Sequence, residues 1–342
     1  MSLRELTEVD TPNRGTGSMP RKGKLPAAKV VLRWLTEQST IIWIVALLAL
    51  PASRLASPHF PSFGLVENVL VLGLFLMVVS FGQGLVILTG GLDLSVAATV
   101  TMGAFFTGRF TSAGMPVLTA VMLALLGAGF VGLINGLIVA YTPFPAFIVT
   151  LATASIATSL LLGISAGGPS QSSPVVLTQL FNGSSVWLGV PASAWLFAAA
   201  LMIGLTVQSG TIFGRHAYAV GNSIRAARIS GLNVRRNIVL VYVVAGISYG
   251  LAGVMLLGYG AGADLNVGNS WLLPSIAAVV VGGSSIKGGA GSYAGTVGAV
   301  VLLTILSIGI GATGISEGFK QVVYGAVILF ALLGARLGGA KH

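Results

Sequence analysis

The stretch GRHAYAVGNSIRAARISGLNVRR (214–236) decides how the rest of the chain is arranged. It carries five arginines and no acidic residue. Residues 110–214, which lead up to Arg215, contain no Asp, Glu, Lys, Arg or His. The segment that follows the stretch, IVLVYVVAGISYGLAGVMLL (238–257), is again apolar. A basic segment between long apolar segments is typical of a cytoplasmic loop, because Lys and Arg accumulate on the cytoplasmic side of membrane proteins.

The composition of the whole chain supports the same interpretation. Charged residues make up 8% of the 342 residues and hydrophobic residues 55%, whereas soluble domains are about 25% charged. Many apolar runs approach the roughly 20 residues that cross a hydrocarbon core. We therefore predict an all-α polytopic membrane protein. The chain has no cysteine, which excludes disulfides and thiolate chemistry.

Ten apolar segments predict about ten transmembrane helices with both termini cytoplasmic. They are 39–52, 66–89, 93–107, 116–140, 146–164, 187–208, 237–258, 271–284, 291–311 and 319–335, with a polar loop at 165–186. This topology places 15 of the 18 Lys and Arg residues on the cytoplasmic side and leaves Arg54, Arg109 and Lys320 on the outer side. The basic residues behind the net charge of +10 therefore lie mostly on one side of the membrane, as the positive-inside rule expects. The charge does not indicate a nucleic-acid partner.

The chain divides into a tail and a transmembrane domain. Residues 1–38 carry seven basic residues without apolar periodicity, which predicts a flexible basic cytoplasmic tail. Residues 39–338 form the transmembrane domain, with the cytoplasmic loop at 209–237.

A weak internal repeat predicts two loosely repeated halves. GLVILTGGLDLSVAATVTMGAFF (84–106) and IAAVVVGGSSIKGGAGSYAGTVGAV (276–300) each contain an apolar run, a Gly-Gly pair, a polar turn and a helix rich in small residues. Both Gly-Gly pairs are expected on the cytoplasmic side, in separate halves. Repeated halves are common in transporters. Glycine-rich membrane helices also resemble one another simply because small residues allow close packing.

The sequence shows no catalytic motif. GGSSIKGG (282–289) lacks the spacing of a phosphate-binding loop, and Gly-x-Ser-x-Gly is absent. The three histidines, His59, His216 and His342, are far apart in sequence. We therefore expect no enzyme activity, metal or cofactor in this chain.

The predicted helices contain few groups that could titrate. Proton- or ion-coupled transporters place ionisable residues within their spans, but here the candidates are only Glu67, near an interface, and Asp93, at a helix start. The neutral residues Gln83, Asn135 and Thr150 are candidate contacts along a translocation pathway for a neutral polar solute. Polar residues of this kind also join membrane helices to one another.

Two charged positions near the cytoplasmic side have two interpretations each. Asp93, with Ser95 beside it, either caps the third helix, where a carboxylate satisfies free N–H groups, or forms a cytoplasmic gate. Lys287 either orients the chain in the membrane or contacts a partner that supplies energy.

The basic loop is predicted to contain a short helix. Asn222 is the expected N-cap, residues 223–230 form about two turns, and Gly231 suits the left-handed position after the helix. Arg225 and Arg228 share a face. So short a helix needs a partner surface, which favours a docking helix for a cytoplasmic motor. The alternative is that its arginines only bind lipid phosphates and fix the topology.

Four motifs in order make residues 65–335 resemble the permease subunits of bacterial ABC importers of the ribose/xylose class. They are GGLDLSV (90–96), GLINGLIVAYTPFPAFIVTLAT (132–153), YAVGNSIRAARISGLNVRR (218–236) and IAAVVVGGSSIKGGAGSYAGTVGA (276–299). The chain departs from the family pattern at Val220, where the family has glycine.

The resemblance implies a permease domain in the bacterial cytoplasmic membrane that moves a neutral monosaccharide or related polyol inward by alternating access. Implied partners are a second permease subunit, cytoplasmic ATP-binding subunits that carry ATP and Mg, a periplasmic sugar-binding protein and membrane lipid. Residues 222–232 would be the coupling helix, with Asn222, Ala226, Ala227 and Gly231 carried over from the family pattern beside the two arginines. The alternatives are a permease for another solute, such as a branched-chain amino acid, and a stand-alone secondary transporter.

Overall fold

The computed structural model describes residues 38–55, 62–168, 172–182, 185–260, 262 and 264–338. The predicted tail, residues 1–38, lies outside this part of the chain except for Gln38, at which the first helix begins. The described residues are predominantly helical, as predicted.

A helix lies on each of the ten predicted apolar segments, and three short helices lie between them. The helices are α1 (Gln38–Ala52), α2 (Phe63–Leu88), α3 (Val96–Ser112), α4 (Val117–Tyr141), α5 (Ala146–Ser165), α6 (Val175–Phe181), α7 (Ala192–Leu205, continued by a π-helical turn Thr206–Gly210), α8 (Ile212–Asn222), α9 (Ile224–Ile229), α10 (Val234–Tyr259), α11 (Asn269–Val281), α12 (Tyr293–Ala312) and α13 (Glu317–Gly338).

Six helices of the described residues are long and apolar enough to cross a membrane: α2, α4, α5, α7 with its π turn, α10 and α12. Helices α1 and α11 are apolar but shorter. Helix α3 has 17 residues and carries Arg109 in its last turn. The architecture is that of an all-α polytopic membrane protein.

Proline determines where several helices begin. Pro116, Pro145, Pro174 and Pro191 directly precede α4, α5, α6 and α7. Proline lacks an N–H, which a helix start leaves unpaired in any case, so it costs little at the start and much in the interior.

Helix α10 is the centre of the fold and packs against α2, α3 and α4. Glycines bring the backbones close together. A β-carbon at Gly132 of α4 would overlap the Tyr242 carbonyl oxygen of α10, and one at Gly103 of α3 would overlap the Gly250 carbonyl oxygen. Small residues permit such approaches between membrane helices, so Gly132 and Gly103 allow α10 to pack closely against α4 and α3.

The predicted polar loop 165–186 is more ordered than the sequence suggested. Its described part contains α6, whose Leu177 and Phe181 are buried. A short antiparallel hairpin follows, made of the two-residue strands β1 (Val186–Trp187) and β2 (Val190–Pro191). Phe181 meets Phe75 of α2 edge-on, with ring centroids 6.4 Å apart. An apolar i,i+4 pair therefore folds this segment back onto the end of the bundle.

The two Gly-Gly segments have a similar local geometry. Each follows the end of a helix and has one glycine in the left-handed region, Gly90 at φ 82° and Gly283 at φ 95°. Their turns also touch, since the Gly289 N–H donates to the Leu88 carbonyl over 2.9 Å. That the two pairs lie in separate halves stays a prediction. A repeat of the two whole halves stays a prediction.

Candidate functional site

The basic loop folds into α8, α9 and the start of α10. Ser223 is the N-cap of α9, since its Oγ accepts the Ala226 N–H over 3.2 Å. The prediction that Asn222 is this cap is wrong. Asn222 ends α8 instead, and its Nδ2 donates to the Tyr218 carbonyl over 3.1 Å. Gly231 has a φ of 82°, so its predicted left-handed conformation is confirmed.

Helix α9 presents a mixed basic and apolar surface. Arg225, Ala226 and Arg228 are exposed, and the side chain of Ile229 is 79% exposed. Ala227 points the other way and is buried in a small cluster with Val220 and Val234. Ala227 therefore packs α9 onto its own chain and is not part of the exposed surface.

Three segments meet where α8 ends and the chain leads into α9, and we call them the glycine junction: the turn 88–91, the turn 287–291 and the end of α8 at 218–222. The two turns are joined by the hydrogen bond from Gly289 to Leu88. A β-carbon at Gly221 would overlap both the Leu88 carbonyl oxygen and the Gly289 nitrogen. The junction thus connects the helix pair α8–α9 to the end of α2 and the start of α12.

One tyrosine locks α8 into the glycine junction. The Tyr218 hydroxyl donates to the Gly291 carbonyl over 2.7 Å and accepts from Nε2 of Gln208 over 2.9 Å. Lys287 is exposed on the same turn, so it lies at the same end of the bundle as α9. A displacement of α8 must therefore move both turns or break these contacts.

Four predicted site residues form one buried network. Asp93, Ser95, Asn135 and Thr150 are each at most 1% exposed. Ser95 is the residue before α3, and both its N–H and its hydroxyl donate to Oδ1 of Asp93, over 2.8 and 2.6 Å. Asp93 is therefore not itself the N-cap of α3, but its carboxylate orders the turn that leads into the helix. A buried carboxylate needs such donors to offset its desolvation.

Helices α4 and α5 hold this turn from outside. Nδ2 of Asn135 donates to the Ser95 hydroxyl over 3.0 Å. The Thr150 hydroxyl accepts the Leu94 N–H over 2.9 Å and lies 3.2 Å from the Leu92 carbonyl. Residues far apart in sequence thus fix the conformation of the 92–95 turn.

Gln83 belongs to a separate contact. It is fully buried, and its Oε1 accepts from the Tyr249 hydroxyl of α10 over 3.0 Å. Gln83, Asn135 and Thr150 therefore all join helices within the single chain. Their assignment as contacts for a solute stays a prediction.

Replacing Asp93 tests the buried network. Asp93→Ala leaves the N–H and hydroxyl of Ser95 buried without their acceptor, a cost of about 1–3 kcal/mol for such a group. We expect the purified protein to melt several degrees lower, measured by intrinsic fluorescence in detergent. Asp93→Asn keeps one acceptor oxygen and should lose less. Equal melting midpoints for Asp93→Ala and the unaltered chain would contradict the role of this carboxylate.

Comparison with known proteins gives one family and a consistent set of relatives. The family described as branched-chain amino acid transport system / permease component matches residues 65–332. The ribose import permease protein of Escherichia coli (strain K12) is 30% identical over 302 residues, which cover 88% of this chain and 94% of that protein.

Two further relatives extend the set. The ribose import permease protein of Bacillus subtilis (strain 168) is 37% identical over 255 residues, 75% of this chain and 79% of that protein. The autoinducer 2 import system permease protein of Yersinia pseudotuberculosis serotype O:3 (strain YPIII) is 30% identical over 271 residues, 78% and 81% of the two chains.

Proposed function

Since the chain belongs to the branched-chain amino acid transport system / permease component family, we propose that it is the membrane subunit of an ATP-driven importer for a neutral monosaccharide or related polyol. The observation that carries this proposal is the likeness to ribose import permeases over most of both chains. The scarcity of charged residues within the apolar helices supports a neutral solute over an ion or a zwitterion. A branched-chain amino acid is the alternative that the family description favours.

We propose that α9 is the coupling helix that docks on a cytoplasmic ATP-binding subunit. Support comes from its exposed surface, on which Arg225 and Arg228 lie close to Ile229. A six-residue helix is not stable alone, and a strongly exposed isoleucine beside two arginines favours a protein partner. Ala227 and Gly231 hold this helix in place on its own chain, and Asn222 fixes the end of α8 beneath it.

The proposed topology has ten crossings with both termini in the cytoplasm. The glycine junction, Lys287 and the arginines of α9 lie at one end of the bundle, which fits the greater number of basic residues expected on the cytoplasmic side. Energy enters at this end, where the proposed ATP-binding subunits bind ATP and Mg. The other proposed partners are a second permease subunit and a periplasmic sugar-binding protein.

Reversing the charges of α9 tests the docking proposal. We expect Arg225→Glu combined with Arg228→Glu to reduce co-purification of the ATP-binding subunit roughly tenfold or more, because like charges brought together in an interface cost several kcal/mol and each 1.4 kcal/mol is a factor of ten. Co-purification from membranes with a tagged permease measures this. The matched control reverses Arg54 and Arg109, which are exposed and predicted to lie on the outer side.

The two interpretations of these arginines give different results in this experiment. If they dock on the ATP-binding subunit, the permease inserts normally but loses its partner. If they only bind lipid and orient the chain, the partner stays bound, or insertion itself fails. A partner that stays bound to the inserted double variant would show that the docking proposal is wrong, and failed insertion would show that these arginines orient the chain in the membrane.

Reconstitution tests the mode of transport. The purified chain alone in liposomes should take up neither D-ribose nor L-leucine along an ion gradient, and uptake should require the ATP-binding subunit and ATP. Gradient-driven uptake by the chain alone would establish a secondary transporter instead.

A further inference from the structure

A cavity of about 550 Å³ has a wall of both polar and apolar residues. Its polar wall includes Asp264, Asn269, Trp271, Ser307, Glu317 and Lys320. Small-molecule sites typically occupy about 300–1,000 Å³, so the volume suits a monosaccharide.

The course of two helices places this cavity away from the coupling end. Helix α10 begins at Val234 beside α9 and rises for 26 residues, about 39 Å at 1.5 Å per residue, before the chain reaches the cavity wall at Asp264. Helix α12 begins beside the glycine junction at Tyr293 and ends at Ala312, shortly before Glu317. In the proposed topology the cavity therefore opens on the periplasmic side.

The cavity combines an apolar floor with an aromatic wall. Leu72 and Leu76 of α2 and Leu256 of α10 line the floor. The Trp271 indole is oriented by edge-on contact with Phe75, with ring centroids 6.1 Å apart and planes at 73°. An indole offers an apolar face and one N–H donor, which matches the C–H face and hydroxyl edge of a sugar ring.

Hydrogen-bonding groups line the mouth of the cavity. The Asp264 carboxylate accepts the Asn266 N–H through Oδ1 over 2.6 Å, so its second oxygen is available to a hydroxyl. Asn269 is exposed, and its Nδ2 reaches Oδ1 of Asn266 over only 3.3 Å. Such groups, fixed by their neighbours, are the few oriented polar contacts that give a small-molecule site its specificity.

The charges of the wall favour a neutral ligand. Nζ of Lys320 lies 2.8 Å from Oε2 of Glu317, so the cation among the lining residues is already paired. Asp264 adds one further negative charge to the wall. A substrate carboxylate would find no free cation among these residues and would be repelled by Asp264, whereas hydroxyl groups can donate to that carboxylate.

We propose that this cavity is the outer binding site of the permease for a neutral polyol, the first site that the solute occupies on entering the chain. The proposal rests on the proposed function as a permease for hydroxylated solutes, and it adds where in the chain the solute first binds. It also separates solute binding from the buried Asp93 network, which lies nearer the opposite end.

The absence of cysteine makes this cavity directly testable. Single-cysteine variants Ser307→Cys and Ser270→Cys place a thiol on two walls, and Ser112→Cys places one on the exposed end of α3 as a control. The full-length chain in lipid nanodiscs is labelled with a charged, membrane-impermeant maleimide. Labelling rates are compared with and without D-ribose, D-xylose, D-galactose, ribitol or L-leucine.

We expect at least one of the polyols to slow labelling of both cavity thiols and not of the control. Only a site without ligand is labelled, so the labelling rate falls with the fraction of sites that are empty. A ligand at about twice its dissociation constant therefore slows labelling about threefold. No protection by any of the polyols at either wall would overturn the proposal. Protection by L-leucine alone would also overturn it and would favour the amino-acid alternative.

Failure here and failure of the proposed function are distinguishable. The labelling experiment uses the permease without its ATP-binding subunit, so loss of coupling cannot affect it. Conversely, unprotected thiols in a permease that still supports ATP-driven sugar uptake would reject only the cavity as the outer binding site.

Discussion

Gly221→Val is expected to abolish ATP-driven import while the helical bundle stays folded. The β-carbon alone would overlap the Leu88 carbonyl oxygen and the Gly289 nitrogen. Both obstacles are backbone atoms, which cannot move aside as a side chain can. The end of α8 must therefore separate from both turns of the glycine junction, and the proposed coupling helix α9 moves with it.

The expected loss in uptake is large because the glycine junction connects the proposed docking surface to the membrane helices. Overpacking of this kind costs about 1–3 kcal/mol or more, and each 1.4 kcal/mol of lost coupling is about tenfold in rate. Uptake by the complete importer in proteoliposomes measures it, with co-purification of the ATP-binding subunit as a second readout. Gly210→Val is the matched control, since its β-carbon would meet only the Thr206 side chain at 3.6 Å.

The result that would contradict this prediction is normal uptake by Gly221→Val. It would show that α9 transmits no movement through the two turns. Loss of the folded protein in both glycine variants would indicate a general effect of valine at the ends of α8, and Gly221→Ala, with the smallest possible side chain, then separates the two cases.

Gly253→Leu is expected to prevent the bundle from forming a stable fold. Gly253 lies in the C-terminal half of α10, and a β-carbon there would overlap the Val100 carbonyl oxygen and lie 2.8 Å from the Ala104 nitrogen. Helices α3 and α10 must move apart, and α10 also carries the contacts to α2 and α4. We expect a destabilisation of about 3 kcal/mol or more, at the upper end of overpacking effects.

Fluorescence size-exclusion chromatography and melting of detergent extracts measure this effect. Gly127→Leu in α4 is the control, because a β-carbon at Gly127 meets nothing within 4 Å. The control should behave like the unaltered chain, and Gly253→Ala should fall between the two. A normal elution profile and melting midpoint for Gly253→Leu would show that the α3–α10 approach is dispensable.

Charge and hydropathy predicted most of the architecture. The span from 116 to 140 is α4 within one residue at each end, and the span from 146 to 164 is α5 within one residue. These boundaries can be predicted because they depend on local signals: proline and the change from apolar to polar residues both act on the adjacent backbone. The cap of α9 was missed by one residue for a similar reason: Asn222 and Ser223 are both good N-caps, and only the continuation of α8 through Asn222 decides between them.

The roles of the polar residues could not be predicted in the same way. Asn135 and Thr150 were candidates for solute contact, yet the structure pairs them with the turn at 92–95. The cavity at Asp264 and Trp271 was not predicted at all, since its residues come from segments that show no shared motif. Tyr218 was part of a quoted motif, but nothing in the sequence indicates that its hydroxyl reaches Gly291.

The sequence by itself determined that this chain is a polytopic membrane protein and where its ten apolar helices lie. It also determined that the chain resembles a sugar-importer permease and that a short basic helix lies between two long apolar segments. Only the tertiary structure decided that Gly221 meets Leu88 and Gly289, that Asp93, Asn135 and Thr150 share one network, and that a cavity with hydrogen-bonding groups lies at the far end. The physical reason is that these helices are apolar on every side. When a helix has no polar face, its sequence does not indicate which face packs against its neighbours. The pairing of its few polar and small residues therefore depends on packing across the whole bundle.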